Sequence, residues 1–250
     1  MHARSGTAKI VTLAATKGGV GKTVIAYELA SVLNGVLVDL DWDTGGASRL
    51  WGHDSRRFKR STLMDAFEHG PNAKPPEPRR QRYRPALVAG HPDLSASDIP
   101  HDLVVSCLTT WASQWGTPYV VVDTHPGANE LTDGAMQGAD LVVVPTVLAA
   151  REMDALEGML EDYQGYRLLI APNMVPASPP RRFVERLEFL ARKYNVPVAP
   201  PISEHRWWRR RIRRSALTQE PNPGAYVSAA VAELRGLARA VESSLGRTDG

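Results

Sequence analysis

The stretch AATKGGVGKT, residues 14–23, decides the fold, because it follows an apolar run that ends at Leu13 and precedes a helical pattern that begins near Val24. Its three glycines let the backbone turn with the N–H groups pointing inward, so these donors and the N-terminus of the following helix can hold a polyphosphate. Lys22 then reaches the β- and γ-phosphates, and the Thr23 hydroxyl is placed to bind Mg²⁺. The stretch therefore predicts a phosphate-binding loop in an α/β protein.

The loop departs from the general pattern G-x-x-x-x-G-K-[ST] at its first position. Thr16 stands where the pattern has glycine, and a second lysine, Lys17, follows it. The segment KGGVGKT resembles the deviant loop of the ParA/MinD family of P-loop ATPases. In that family the early lysine crosses a dimer interface to the partner subunit's nucleotide, and the resemblance implies this role for Lys17. The alternative is a glycine-rich turn that binds nothing, which the flanking strand and helix disfavour.

Two carboxylates end the next apolar run, residues 36–41, where open α/β sheets bind ligands. By resemblance to the family, Asp41 orients the attacking water and Asp39 supports the magnesium shell. Trp42 and Asp43 replace the proline and glutamine that often follow in the family, which leaves the conformation of this turn open. The alternative is that both carboxylates merely cap the next turn.

A further carboxylate, Asp123, ends the apolar run 119–122. This is the pattern of a Walker B strand, whose carboxylate holds Mg²⁺, usually through water. His125 stands where the family commonly has proline. A catalytic histidine is one interpretation, and a solvent-facing histidine is favoured, since the family's chemistry needs none. Asn173 follows another strand, where family members contact the adenine ring, although asparagine is also a common turn residue at a strand end.

The resemblance implies three overlapping sets of site residues. The nucleotide-binding set is Lys17, Gly18, Gly19, Val20, Gly21, Lys22, Thr23, Val24 and Asn173; the catalytic set is Lys17, Lys22 and Asp41; and the metal set is Thr23, Asp39 and Asp123. Val24 stands where many relatives have a second threonine that contacts the α-phosphate. One hydrogen bond worth about 0.5–1.5 kcal/mol is therefore lost, and we expect modest nucleotide affinity.

Apolar runs and helical patterns alternate along the chain. The predicted strands cover residues 9–15, 36–41, 86–90, 119–123, 139–145, 167–172 and 196–202, and the predicted helices cover 24–33, 61–67, 99–115, 149–163, 179–194 and 225–245. This alternation predicts a largely parallel, twisted sheet covered by helices on both faces, as in P-loop NTPases. The predicted buried face of the last helix consists of Tyr226, Leu234, Leu237, Val241 and Leu245.

We expect a single domain over residues 1–250, with a flexible start at 1–8 and a mobile loop rich in proline and arginine at 70–85. The one cysteine, Cys107, lies among apolar residues and is predicted to be core. A nitrogenase-type reductase needs paired cysteines to hold its cluster, so that class is excluded. The sequence shows no membrane span or signal peptide, and its polar end lacks the basic terminal helix of MinD-like membrane proteins. We therefore expect a cytoplasmic protein that binds no membrane.

Basic residues are unevenly placed: the net charge is only +3, yet 24 of the 30 basic residues are arginines. The densest cluster lies within residues 205–214. There we expect a non-specific DNA surface formed by Arg209, Arg210, Arg211, Arg213 and Arg214. The alternative is a solvated face with Trp–Arg stacking.

The resemblance covers nearly the whole chain and implies a slow, partner-stimulated ATP hydrolase. In this scheme ATP and Mg²⁺ lie between two subunits, and the homodimer binds double-stranded DNA without sequence preference, which makes it nucleoid-associated. A ParB-like centromere-binding protein then stimulates hydrolysis, and the cycle partitions a plasmid or chromosome. Two alternatives remain: a ParA-like positioner of a non-DNA cargo, which would share every motif, and a MinD-like membrane-associated regulator, which the polar end of the chain disfavours.

Overall fold

A six-stranded parallel sheet forms the centre of the molecule. The computed structural model describes residues 8–43, 46–57, 61–208, 211, 214–220 and 223–246. The strands are β1 (Lys9–Leu13), β2 (Val36–Asp39), β3 (Ala86–Val88), β4 (Tyr119–Asp123), β5 (Leu141–Thr146) and β6 (Leu168–Pro172). Their order is β3-β2-β4-β1-β5-β6, and every ladder is parallel. Short runs rich in β-branched residues are typical of strands buried on both faces, and the predicted sheet is confirmed.

Helices cover both faces of this sheet, as predicted. Within the described residues they are α1 (Lys22–Val32), α2 (Ala47–Trp51), α3 (Thr62–His69), α4 (His101–Gln114), α5 (Glu130–Gln137), α6 (Ala150–Asp162), α7 (Arg181–Lys193) and α8 (Ala225–Gly246). One apolar cluster joins Leu13 and Leu37 to α1 and α8. On the other face, Val38 and Val122 pack with α3 and α4, and Val142 packs with α6 and α7. Cys107 is fully buried on α4, which confirms its prediction as core.

The predicted seventh strand, residues 196–202, does not form. This segment runs beside β6 and is joined to it by an isolated bridge between Ile170 and Val198 and by a hydrogen bond from the Ile202 N–H to the Pro172 carbonyl at 2.9 Å. These contacts do not form a continuous ladder. Proline has no N–H to donate to a ladder, and prolines occupy positions 197, 200 and 201 of the segment. The segment therefore covers the edge of β6 without extending the sheet.

The predicted buried face of α8 is wrong at one residue, Tyr226. Tyr226 is 65% exposed, whereas Leu234, Leu237 and Val241 are buried as predicted. Tyr226 lies in the first turn of α8, where its ring packs edge-on against Trp207 at 5.4 Å between centroids. The buried face begins one residue later, at Val227.

The Pro/Arg-rich segment 70–85 is attached to the fold at several points along its length. The Arg79 backbone exchanges two hydrogen bonds with Leu87 of β3, at 2.7 and 2.9 Å. The Trp115 indole N–H donates to the Pro76 carbonyl at 3.0 Å. The mobility of this loop stays a prediction. At the start of the chain, Ala8 is buried, and residues 1–7 lie outside the described residues.

Candidate nucleotide site

The glycine loop connects β1 to α1 through a left-handed turn. Gly19 and Gly21 have φ values of 84° and 91°, a region that glycine adopts without strain. Gly21 directly precedes the first turn of α1. A Cβ at Gly21 would overlap the Asn173 side chain, whose Nδ2 donates to the Val20 carbonyl at 2.8 Å. Asn173, placed by sequence near an adenine ring, thus also braces the loop from the end of β6.

Three strands carry the charged groups of the site to one edge of the sheet. In the parallel register, Asp123 of β4 lies opposite Leu13 of β1 on one side and Asp39 of β2 on the other. Because the loop leaves β1 directly after Leu13, Lys22 comes close to these carboxylates. Burial lowers the pKa of Lys22, and the negative charges of Asp123, Asp41 and Asp43 oppose that shift. The register therefore assembles the lysine and the carboxylates that the sequence singled out.

Asp123 is a buried carboxylate that lacks hydrogen bonds of normal geometry. It is fully buried, and among the described residues neither of its oxygens has a hydrogen-bond partner. Burial raises its pKa well above the usual range, the negative charge of Asp39 adds to the rise, and Lys22 and the Thr23 hydroxyl oppose it. An unpaired buried carboxylate beside a hydroxyl is the donor set that a hard cation such as Mg²⁺ needs. The site thus fits the metal that the sequence predicts.

Asp39, by contrast, is fully engaged by the chain. Its Oδ2 accepts from the Ser48 N–H and hydroxyl, both at 2.6 Å, and its Oδ1 accepts from the Asp41 N–H at 3.2 Å. The Ser48 hydroxyl also accepts from the Gly90 N–H at 2.9 Å. Burial raises the pKa of Asp39 to about 6, against the opposing effect of the Ser48 hydrogen bonds. Asp39 therefore anchors the N-terminal end of α2 and the chain after β3, and adds negative charge beside Asp123.

Asp41 lies just beyond β2 and is held by two donors. Its Oδ1 accepts from the Asp43 N–H at 3.0 Å and from His125 Nδ1 at 2.9 Å. The imidazole of His125 stacks on the Trp42 indole, with 3.9 Å between ring centroids and 15° between the planes. Nδ1 also lies 3.9 Å from Asp43 Oδ2. His125 therefore packs inside the site with 21% of its side chain exposed, and the predicted solvent-facing histidine is wrong.

The remaining loop residues line the open side of the site. Lys17 is half-buried, and no residue within the described ranges forms a hydrogen bond or ion pair with it. Gly18 is exposed, and a Cβ at this position would lie 3.8 Å from the Pro126 side chain. Thr23 and Val24 are half-buried in the first turn of α1. Lys17 is thus a cation without a counter-charge in the part of the chain that the structure describes.

The predicted DNA-binding arginines divide into two groups. Arg209, Arg210 and Arg213 lie outside the described residues. Arg211 is only 12% exposed and pairs with Glu220, and its Nη2 donates to the Ser215 carbonyl at 2.6 Å. The Arg214 side chain is exposed beside Gly52, while its carbonyl accepts from the Tyr27 hydroxyl at 2.6 Å. The structure thus gives Arg211 an internal partner and leaves the Arg214 side chain at the surface.

Sequence reasoning missed two buried polar residues, Ser48 at the site and Glu28 on α1. Ser48 follows no motif, and nothing in the sequence signals its bonds to Asp39. Glu28 did leave a signal: it stands three residues after Ile25 and one before Leu29, inside the apolar stripe of α1. It is 2% exposed and accepts from the Leu217 N–H at 2.9 Å, and burial raises its pKa to about 7.

Among the helices that the structure describes, none combines the length and the apolar composition that a membrane span requires. No protein-family model matches the sequence. A search of curated proteins also finds no match.

Comparison with solved structures shows similarity along almost the entire chain. A variant of McdA from Cyanothece in complex with ATP is 14% identical, with a TM-score of 0.74 over 98% of this chain and 99% of that one. A plasmid partition protein from Borrelia burgdorferi is 17% identical, with a TM-score of 0.69 over 95% and 99%. MinD from Pyrococcus horikoshii with Mg-ADP is 17% identical, with a TM-score of 0.69 over 96% and 98%. The chain therefore has the fold of the ParA/MinD ATPases.

Proposed function

We propose that this chain is a Mg-ATP-dependent ATPase that dimerises with ATP, binds DNA without sequence preference in that state, and partitions a plasmid or chromosome. One observation carries the proposal. Lys22, the Asp123 carboxylate and Asp41 meet at the end of a glycine loop, and among the described residues neither oxygen of Asp123 has a hydrogen-bond partner. The unpaired Asp123 carboxylate is stabilised when a cation binds it. A nucleotide with its metal ion supplies this cation and also the phosphate anion that pairs with Lys22.

The residues that would hold the metal are Thr23 and Asp123, with Asp39 as a nearby negative charge. When bound, Mg²⁺ neutralises charge on the β- and γ-phosphate oxygens. Asp39 is less suited to direct contact, because hydrogen bonds from Ser48 and Asp41 already occupy both of its oxygens. Its role is therefore electrostatic and structural.

The chain's own groups bind and orient the substrate. Backbone N–H groups of residues 18–23 and the N-terminus of α1 surround the phosphates, and Lys22 contacts the terminal phosphates directly. Asp41, at the edge of the site, orients the attacking water. Burial of Lys22 strengthens its attraction to the phosphates, since fewer waters screen the charge.

Lys17 supports the proposed dimer. Its ammonium group has no counter-charge in the described part of the chain, and its backbone lies on the exposed side of the loop beside Gly18. A lysine in this position can reach a phosphate of a nucleotide held by the partner subunit. The proposed homodimer would hold two nucleotides between the subunits and carry two copies of the basic segment.

The DNA surface of the proposal rests on Arg209, Arg210 and Arg213, together with the exposed Arg214. Arg211 contributes less, because Glu220 neutralises it. A dimer doubles the number of phosphate contacts, so its affinity falls more steeply with salt than that of a monomer. A ParB-like centromere-binding protein would be the partner that stimulates hydrolysis, at the nucleoid.

Calorimetry with Mg-ATP tests the proposal. Lys22→Ala and Thr23→Ala should each abolish measurable binding, because the first removes the buried ammonium group of the loop and the second removes the hydroxyl that binds the metal. Lys193→Ala is the matched control, since that lysine pairs with Glu157 on the remote helix α7 and should bind normally. Unchanged affinity in the two loop variants would refute the nucleotide site. ATP-dependent dimerisation without any duplex DNA binding would favour the positioner of a non-DNA cargo.

A further inference from the structure

Two residues that depart from the family pattern contact each other in this chain. Trp42 and His125 both stand where the resembled family commonly has proline, and their rings stack at 3.9 Å between centroids. Trp42 follows β2 and His125 follows β4, so the stack joins the turn 40–43 to the turn 124–129. The stack fixes the plane of the imidazole and turns Nδ1 towards Asp41.

The hydrogen bond from His125 divides the two oxygens of Asp41 into different roles. Oδ1 accepts two hydrogen bonds, from His125 Nδ1 and from the Asp43 N–H. Only a ring protonated at Nδ1 can donate there, because a carboxylate oxygen only accepts. Oδ2 takes no hydrogen bond from the described residues. Asp41 is therefore held by one oxygen and presents the other.

We propose that His125 is a positioning residue for ATP hydrolysis, which fixes Asp41 through Oδ1 so that Oδ2 faces the attacking water. The inference rests on the proposed function of the site, and it assigns His125 a role that acts only through Asp41. A carboxylate held by a backbone N–H alone can rotate about its Cβ–Cγ bond. The second donor removes this freedom, and Trp42 holds that donor in place.

Asp43 is the other carboxylate near the ring, and it does not replace Asp41 in this arrangement. Its Oδ2 lies 3.9 Å from Nδ1, beyond hydrogen-bond distance, and its side chain is 65% exposed. Solvent screening weakens its attraction to His125. The short contact to buried Asp41 therefore determines the orientation of the imidazole.

Two variants separate the donor from the stack. His125→Phe keeps a flat ring against Trp42 but has no donor. His125→Asn loses the ring but can present an amide N–H from near the position of Nδ1. We would measure the dissociation constant for Mg-ATP and the single-turnover hydrolysis rate at saturating Mg-ATP for both variants, for Asp41→Ala and for the double variant Asp41→Ala with His125→Phe.

We expect His125→Phe to hydrolyse at least about tenfold more slowly, with its dissociation constant within about threefold of wild type. His125→Asn should recover most of the lost rate. The double variant should be no slower than Asp41→Ala alone, since His125 acts only through Asp41. A merely structural role would give losses in both single variants that multiply with the loss in Asp41→Ala.

Three results would overturn the inference while the proposed function stands: a normal rate in His125→Phe, equal losses in the Phe and Asn variants, or lost Mg-ATP affinity in His125→Phe. A wild-type protein that binds Mg-ATP but shows no hydrolysis, or an Asp41→Ala variant as fast as wild type, would overturn the proposed role of Asp41 and this inference with it. The two failures are therefore distinguishable by the rate of Asp41→Ala.

Discussion

Neutralising Asp123 should stabilise the protein without nucleotide and remove its response to Mg-ATP. Asp123→Asn keeps the size of the side chain but removes a fully buried carboxyl group, whose ionised form is costly and whose oxygens have no hydrogen-bond partner among the described residues. The variant also loses the repulsion between Asp123 and Asp39 and the attraction between Asp123 and Lys22, and these two losses have opposite effects on stability. An unpaired amide at this position still costs about 1–3 kcal/mol, so the variant recovers only the further cost of the ionised carboxylate. We expect a net gain of about 2 kcal/mol in the free energy of unfolding, which is roughly 4–8 °C in Tm for a domain of this size.

Mg-ATP should reverse the order of the two proteins. A ligand at a hundred times its dissociation constant stabilises the native state by about 2.7 kcal/mol. If the loss of the metal contact weakens binding about a hundredfold, the same concentration stabilises Asp123→Asn by only about 0.4 kcal/mol. Wild type and variant should therefore become nearly equal or cross in Tm when Mg-ATP is added.

The assay is thermal unfolding with EDTA and with saturating Mg-ATP, and Asp39→Asn is the matched control. Asp39 lies opposite Asp123 in the same register but accepts three hydrogen bonds, which an amide cannot all keep. The Asp39→Asn protein should thus be less stable than the Asp123→Asn protein. An Asp123→Asn protein that is less stable than wild type in EDTA, or that keeps the full shift with Mg-ATP, would refute the reasoning.

Three further predictions concern the dimer, the buried glutamate and the basic segment. Lys17→Ala should bind Mg-ATP normally but remain monomeric by light scattering; a normal ATP-dependent dimer would contradict the role of Lys17. Glu28 has its pKa raised to about 7 from 4.5, so it favours the folded state at low pH and this contribution is lost as pH rises through 7. In urea unfolding, wild type should therefore lose about 2 kcal/mol relative to Glu28→Gln between pH 5.5 and 8, and a constant difference would contradict this. Arg210→Ala with Arg213→Ala should weaken binding to every duplex sequence and flatten the salt dependence without altering dimerisation, whereas Arg211→Ala should mainly lower Tm; wild-type DNA affinity in the double variant would move the surface elsewhere.

Local patterns predicted the sheet well because its strands are buried on both faces. An uninterrupted apolar run such as Leu141–Val144 is recognisable without knowledge of its neighbours. The helix α5 was not predicted, because it contains Gly134 and lacks a clear apolar stripe. In the structure a Cβ at Gly134 would lie 2.6 Å from the His101 carbonyl oxygen, so the glycine permits the close approach of α4. Tertiary packing, rather than helix propensity, accounts for this element.

The site was predictable where one motif defines it and less so where two segments meet. The sequence identifies Lys22, Asp39, Asp41 and Asp123, since each occupies a fixed place at a strand end or in the loop. It does not reveal that Ser48 engages Asp39, or that Glu220 neutralises Arg211. Such pairings depend on the conformation of the loops that bring the two residues together. Local charge density alone therefore overstated the part of the basic segment that is free to bind a polyanion.

The stack of Trp42 on His125 depends on the strand register, which local sequence patterns do not reveal. Each residue, taken singly, is a departure from a family pattern and predicts only a loss. The strand register explains why the two residues meet. Asp39 pairs with Asp123 in the sheet, so Asp41 and His125, each two residues later in the chain, lie opposite each other. With that register, the two substitutions form one unit in which an indole supports an imidazole and the imidazole holds a carboxylate. Proline at position 125 should therefore slow hydrolysis, because it removes the donor to Asp41, and proline at position 42 should slow it less, because it removes only the ring that holds this donor in place.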